Sequence, residues 1–295
     1  MIASELMSRE IESLLLSLYD SSDEKESAYL TKELFRTIPI GYHPLRYVEA
    51  LSTPAVRWKL RTGLFPALGD LKIRHDLKEL LNRSREDGDM DLEMGAFLIA
   101  RGVEEPEVVP EDLTVQLDAL AKPLARAIKY AGGDPESRLN LFRFYMFDKL
   151  GFQGNTADYY DPRNSFITSL LRTGKGIPVT ISVLCILIAR RVGLPVSGVN
   201  MPGHFLLTFQ EGDLVAYMDP FNSGAILSHE ECLQFLTRQN LPSDPAYLRI
   251  ADSMTILKRM YRNLIHIHSS RGNREEERQL RRHLFILENA GAASP

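Results

Sequence analysis

Over most of the first 150 residues, apolar positions recur every three to four residues, the period of helices with one buried face. Leu14, Leu15, Leu18 and Tyr19 extend an opening amphipathic helix that also carries Glu5, Arg9, Glu10 and Glu12. That mixture predicts a folded helix rather than a secretory leader. Ser22 or Asp23 is placed to cap a second helix holding Tyr29, Leu30, Leu34 and Phe35. Pro44, Pro54 and Pro66 punctuate shorter helices, between which Trp58, Leu60, Leu64 and Phe65 are expected to pack as core. Gly88 marks a break, followed by a helix from about Asp91 to Ala100. Pro110-Glu111-Asp112 then opens a helix with acids in its first turn, running through Leu117, Leu120, Leu124 and Ile128. Asp134-Pro135-Glu136-Ser137 opens one more, through Leu139, Phe142, Tyr145 and Met146 to Leu150.

The texture changes at residue 151. "GFQGNTADYYDPRNSF" is rich in loop-forming residues, and a short helix, Ser165 to Arg172, follows it. "GKGIPVTISVLCILIARRVGLP", residues 174 to 195, reads as a glycine turn into a long apolar helix ending at Gly193. After Pro195, "PVSGV" is a short strand. "HFLLTF" and "LVAYMD" are two apolar runs separated by "QEGD", which predicts a β-hairpin with a glycine-bearing loop. "SHEECLQFLTRQ" is a helix with a capping box, Ser228 to Glu231. The last 45 residues form two helices, about Asp252 to Ser270 and Asn273 to Glu288. Leu257, Met260, Tyr261, Leu264, Ile265 and His268 face one way, and Leu280, Leu284, Phe285 and Leu287 answer them. One such hairpin cannot bury its own face, so it is expected to dock on what precedes it.

Composition narrows the function classes. The chain has 295 residues, 44% hydrophobic and 25% charged, with net charge -4, which gives no global case for nucleic-acid binding. Cys185 and Cys232 are too few for a disulfide framework and suit a reducing, cytoplasmic setting. No apolar run approaches the ~20 residues that span a bilayer. No CxxC or HExxH cluster is present, and His266 and His268, two apart on a helix, point to different faces, so no metal or cofactor is expected. Gly174-Lys175-Gly176 lacks the spacing of a phosphate loop, although a helix start there favours anions.

Three features carry candidate chemistry: the helix start at Gly176-Ile177-Pro178, His204 at the head of a strand, and Asp219 at the end of its hairpin partner. Pairing across "QEGD" puts His204 and Asp219 at one end of the hairpin, where an acid fixes a histidine's tautomer. The pair is open to a purely structural reading or a binding one. Proline is favoured at a helix start, and it also removes a donor from any oxyanion hole. Ser182 lies one turn on from Pro178, and Thr180 is nearer but turned aside. Cys185, two turns on, reads as a buried structural residue. Tyr160, Arg163 and Asn164, just upstream, are contact candidates, with Asn164 equally suited to capping.

The order of helix start, strand histidine and next-strand aspartate resembles the transglutaminase-like superfamily, whose core is a papain-like cysteine site. "YYDPRNSF", "GKGIPVTISVL", "ARRVGLPV", "MPGHFLL" and "MDPF", spanning residues 159 to 221, resemble its SirB-type branch. The resemblance implies that Pro178 stands where the superfamily has its cysteine, fifteen residues before Gly193-Leu194-Pro195, and that His204 and Asp219 are the retained partners. It implies an α+β fold, mostly helical, with a small antiparallel sheet in a transglutaminase-like core. The expected organisation is an N-terminal helical region (1–88), the transglutaminase-like domain (89–250, core 151–225) and a tetratricopeptide-like hairpin (251–295). The function implied is a non-catalytic interaction or regulatory module, with a protein or peptide as partner and Tyr160, Arg163, Asn164, Gly176, Thr180 and Ser182 as cleft candidates. Two alternatives stay open: a hydrolase or acyl transferase using His204 and Asp219 with Ser182, Thr180 or a water, and a peptide- or small-ligand-binding module.

Overall fold

A computed structural model describes residues 2–48, 57–58, 60, 64–102, 108–130 and 132–289. Two helices, α1 (Ile2–Asp20) and α2 (Glu24–Thr37), pack on each other, and the side chain of Asp23 caps the second. The short α3 (Leu45–Val48) and the long α4 (Phe65–Asp87) follow. Ile11, Leu15, Leu34, Ile38, Leu60 and Leu68 form a small core of their own. Trp58 is corrected here: it is 66% exposed, whereas Leu60 is wholly buried. Two helical positions apart lie on nearly opposite faces, so one turn cannot bury both. The side chain of Phe65 and the backbone of Pro54 lie outside the described residues.

The main core begins on α4 and continues through α5 (Leu92–Arg101), α6 (Pro110–Tyr130) and α7 (Pro135–Arg143). Asp91 and Asp134 cap α5 and α7 through their side chains, which satisfies otherwise orphaned backbone N–H groups. The helix expected to reach Leu150 is α-helical to Arg143 and stays helical to Lys149. Beyond Arg143 the backbone widens over Phe144–Lys149, and the N–H of Leu150 donates to the carbonyl of Tyr145.

The helix on which everything else rests is α9 (Pro178–Val192), preceded by α8 (Ile167–Thr173), with a single turn at Pro162–Ser165 before that. Every residue of α9 from Pro178 to Ala189 is buried. A helix that is apolar all round belongs in the interior. Here α6, α8 and α11 (Ser253–Arg271) cover it, together with the sheet. The sheet is antiparallel, in the order β6-β5-β4-β3-β7: β3 is Val196–Val199, β4 Leu206–Glu211, β5 Leu214–Asp219, β6 Ala225–Leu227 and β7 Ile250–Ala251. A second pair, β1 (Gln153–Gly154) and β2 (Lys175–Gly176), is parallel. The hairpin turn is tighter than "QEGD" implied. Glu211 pairs with Leu214, leaving Gly212-Asp213 as a two-residue turn, and Gly212 supplies the positive φ (57°) needed at its first central position. An amphipathic helix, α10 (His229–Arg238), packs on the open side of the sheet through Cys232 and Leu236.

The terminal hairpin of α11 and α12 (Arg274–Glu288) docks on α4, α5 and α9, so the main core runs unbroken from Ile73 to Leu287 across residues 88 and 250. Leu280, Leu284 and Leu287 answer α11, but Phe285 does not: it is 66% exposed. Its neighbours Leu284 and Leu287 already define the inward stripe, and Phe285 falls to the side of it. The structure is mostly helical α+β with a small antiparallel sheet, the class the sequence implies. No helix among the described residues is long and apolar enough to cross a membrane.

A feature with no signature in the hydropathy pattern is a fully buried charge cluster. Asp76 on α4 forms ion pairs with Lys72 and with Arg101 (3.3 Å). The N–H of Gly41 donates to the same carboxylate, and Lys72 also donates to the carbonyl of Pro39. The cluster ties the segment after α2 to α4 and α5. Burial pulls the Lys72 ammonium below its ordinary value, and Asp76 opposes that. Replacing Asp76 with alanine strands two buried cations. Urea unfolding should show a loss of about 3–5 kcal/mol, whereas a loss under about 1 kcal/mol would mean that the cations had found water or another partner.

Candidate functional site

A cleft of about 510 Å³ opens where the start of α9, the β3–β4 connection, the turn after β5 and α10 meet. Pro178, His204 and Asp219 all line it. Helix α9 starts without a side-chain cap, and Pro178 occupies its first position, where the missing N–H costs little. His204 precedes its strand rather than opening it: β4 begins at Leu206, and the N–H of His204 closes a turn onto the carbonyl of Met201.

Asp219 is the hub of the site. Its Oδ2 lies 2.8 Å from Nε2 of His204 and accepts from Nδ2 of Asn222 at 2.6 Å. Its Oδ1 accepts from the backbone N–H groups of Phe221 and Asn222. One side chain thus both shapes the turn before Pro220 and orients the imidazole. Burial pushes the Asp219 carboxyl up, but the hydrogen bond and charge of His204 and the bonds from Asn222 outweigh it and hold the carboxyl below its ordinary value. An ionised carboxylate only accepts, so Nε2 carries a proton towards Asp219. Among the described residues, Asp219 is the one hydrogen-bond partner of the His204 ring. The ring also leans on Phe235 of α10, centroids 5.6 Å apart.

The six cleft candidates fall elsewhere. Thr180 and Ser182 are wholly buried in α9, their hydroxyls without partners, and neither lines the cleft. They sit on a helix with no solvent face, so no rotation about its axis would present them. Tyr160 is exposed, and its ring leans towards His266 of α11; its neighbour Tyr159 lines the cleft instead, edge-on to Phe221 at 5.6 Å. Adjacent loop residues point apart, and the sequence does not say which faces inward. Arg163 turns to Asp161, with Nη2 2.6 Å from its Oδ2. Asn164 is a buried clamp. Its amide donates to the carbonyls of Asp158 and Tyr159 and accepts from Asn155, and its own carbonyl accepts from the N–H of Ile177. It thereby ties the Tyr159 loop to the start of α9. Gly176 is wedged behind it, where a Cβ would press on the Asn164 carbonyl, Leu170 and Ile181.

Sequence reasoning passed over Met201, Phe221, Phe235 and Cys232, all of which line the cleft. The spacing of Cys232 and Phe235 on the amphipathic α10 was the available signal. Cys232 is buried, and its thiol is pushed up to about 11, by burial first and then by Glu231 and Asp219. A thiol in that state is a poor nucleophile. The Cys185 thiol, sealed inside α9, is pushed up further by burial.

The profile of the transglutaminase-like superfamily matches residues 111–262, and the chain belongs to that superfamily. It is 41% identical over 133 residues to a UPF0162 protein of Xylella fastidiosa, covering 43% of this chain and 47% of that protein. It is 31% identical over 185 residues to a UPF0162 protein of Vibrio cholerae, covering 61% and 67%. A third relative is F-box only protein 21 of Homo sapiens, 34% identical over 145 residues, which is 46% of this chain but 22% of that protein. The matched stretch is about half the length of the Xylella relatives. No solved structure matches the chain.

The depressed Asp219 carboxyl has a pH consequence. A group whose native pKa lies below its unfolded value stabilises the fold above the unfolded value, and that contribution is lost as pH falls through the native one. Asp219→Asn should cost about 1–3 kcal/mol at neutral pH. The gap between wild type and variant in denaturant midpoint should hold down to about pH 5 and shrink below about pH 4. A gap that widens on acidification would contradict the assignment.

Proposed function

We propose that the chain is a non-catalytic member of its superfamily that binds a protein or peptide segment in the Pro178–His204–Asp219 cleft. The observation that carries this is the company His204 keeps. Its acid partner is in place and its Nδ1 has no protein partner among the described residues, yet the residue at the head of α9 is a proline, with no nucleophile and no N–H. In this reading Pro178 stands where the superfamily's cysteine would be, as in the SirB-type branch, and the terminal hairpin is the branch's tetratricopeptide-like element. Tyr159, Met201, Phe221 and Phe235 give the cleft aromatic and apolar walls suited to a peptide side chain. The match to a minor part of a much longer human protein fits a domain used as a module. A reducing, cytoplasmic setting fits two unpaired, buried cysteines.

A hydrolase built on Ser182 or Thr180 finds no support, because both hydroxyls are sealed in the core. Restoring a thiol tests the reading. Pro178→Cys, treated with iodoacetamide and mapped by mass spectrometry, should be alkylated at position 178 roughly tenfold or more faster than an unactivated thiol, and adding His204→Ala should remove the acceleration. The wild type should show no peptidase or transamidase turnover. An inert residue 178, or turnover by the wild type, would overturn the proposal.

A further inference from the structure

A second pocket of about 300 Å³ lies where α5, α11 and α12 meet. It shares no lining residue with the cleft. Leu98, Ile99 and Leu280 give it apolar walls. Against those walls stand two polar atoms with no partner among the described residues: Oη of Tyr261, whose side chain is almost completely buried, and Nε2 of His268, which is 4% exposed. The two residues lie seven apart on α11, two turns along one face.

The donor character of both atoms can be assigned. Nδ1 of His268 faces Nδ2 of Asn273 at 3.4 Å, and an amide N–H₂ only donates, so Nδ1 accepts and Nε2 carries the proton. Burial pulls the His268 pKa down, against Glu276, which keeps the ring neutral in that tautomer. Tyr261 offers its O–H. Behind it sits Arg101, close enough that its charge opposes the effect of burial on the phenol. Arg101 belongs to the buried cluster of two cations and one carboxylate, and its Nε and Nη1 are themselves unpartnered. The deep end of the pocket therefore carries two unpartnered donors in a positive field. The shallow end is different, with the exposed carboxylate of Glu276 and the amide of Gln279. His283, on the same wall, is already committed to Asp70 at 2.9 Å.

We propose that this pocket binds a small amino-carboxylate, a free amino acid or its close analogue, with its carboxylate received by Tyr261 and His268 and its ammonium by Glu276. Buried donors this expensive to leave unmade are characteristic of a site that a ligand completes. A bare anion fits less well, because Glu276 would repel it, and a bare amine fits less well, because Arg101 would.

The test is a thermal-shift screen of the full chain against each standard amino acid at about 10 mM, with calorimetry on any that respond. At least one should raise Tm, and the matching amine without the carboxylate should not. Tyr261→Phe, which keeps the ring and its packing, and His268→Gln should each weaken Kd by roughly tenfold or more. His204→Ala, in the cleft, should leave binding unchanged, which separates this site from the one proposed above. No shift with any amino acid, a shift that persists in either pocket variant, or one abolished by His204→Ala would overturn the proposal; the first of these outcomes would mean that water alone serves Tyr261 and His268.

Discussion

The burial of α9 on every side is the constraint from which the rest of the architecture follows. A fifteen-residue helix with no polar stripe has to be enclosed, and neither a single sheet nor a single helix can enclose it. The chain therefore surrounds it with α6 and α8 from before, the sheet that follows directly after Gly193, and α11 from far downstream. Only the last turn of α9, from Arg190, reaches solvent, while the N-terminal end is buried from Pro178 onward. Ile177 is held by the carbonyl of Asn164, Asn155 by that of Gly176, and Gly154 by that of Phe221, so the loops at that end are stitched to one another by backbone bonds. The cleft lies where the head of that helix meets a hairpin whose end carries His204 and Asp219.

Two carboxylates organise charge in the molecule, and they do so differently. Asp219 sits at the edge of the cleft and divides its lone pairs between a turn and an imidazole, so the local backbone and the ring orientation are set by the same group. Asp76 is sealed in the core between two cations and leaves a net positive charge there. Buried ion clusters contribute little net stability against an apolar alternative, but removing one partner strands the others. The cleft and the α5–α11–α12 pocket share no lining residue, and α11 lines the second through Tyr261 and His268.

Much of this was legible in the sequence wherever a short-range rule applied. Asp23, Asp91, Asp134 and Ser228 announce helix starts because a cap is a contact two or three residues long. The hairpin, the apolar α9 and the joining of His204 to Asp219 follow from period and spacing. What was lost depends on three-dimensional neighbours. Trp58 and Phe285 look like core by residue type, yet each lies beside a leucine that takes the inward position. The parallel β1–β2 pair and the edge strands β6 and β7 are two or three residues long, too short to have a period. Lys72, Asp76 and Arg101 read as surface charges because nothing local says that α5 will cover them. Tyr159 and Tyr160 differ only in which way a loop turns, and Thr180 and Ser182 only in what surrounds the helix that carries them.

The central claim is that the chain holds an assembled acid–histidine pair beside a helix start that offers it nothing to activate. Imidazole nitrogen-15 NMR of the wild-type protein at neutral pH reads that state directly. The account predicts that Nε2 of His204 holds its proton against Asp219 in the wild type, and that Asp219→Asn releases the ring into a mixture of tautomers. A wild-type ring already averaging between tautomers, or one whose Nε2 carries no proton, would contradict it.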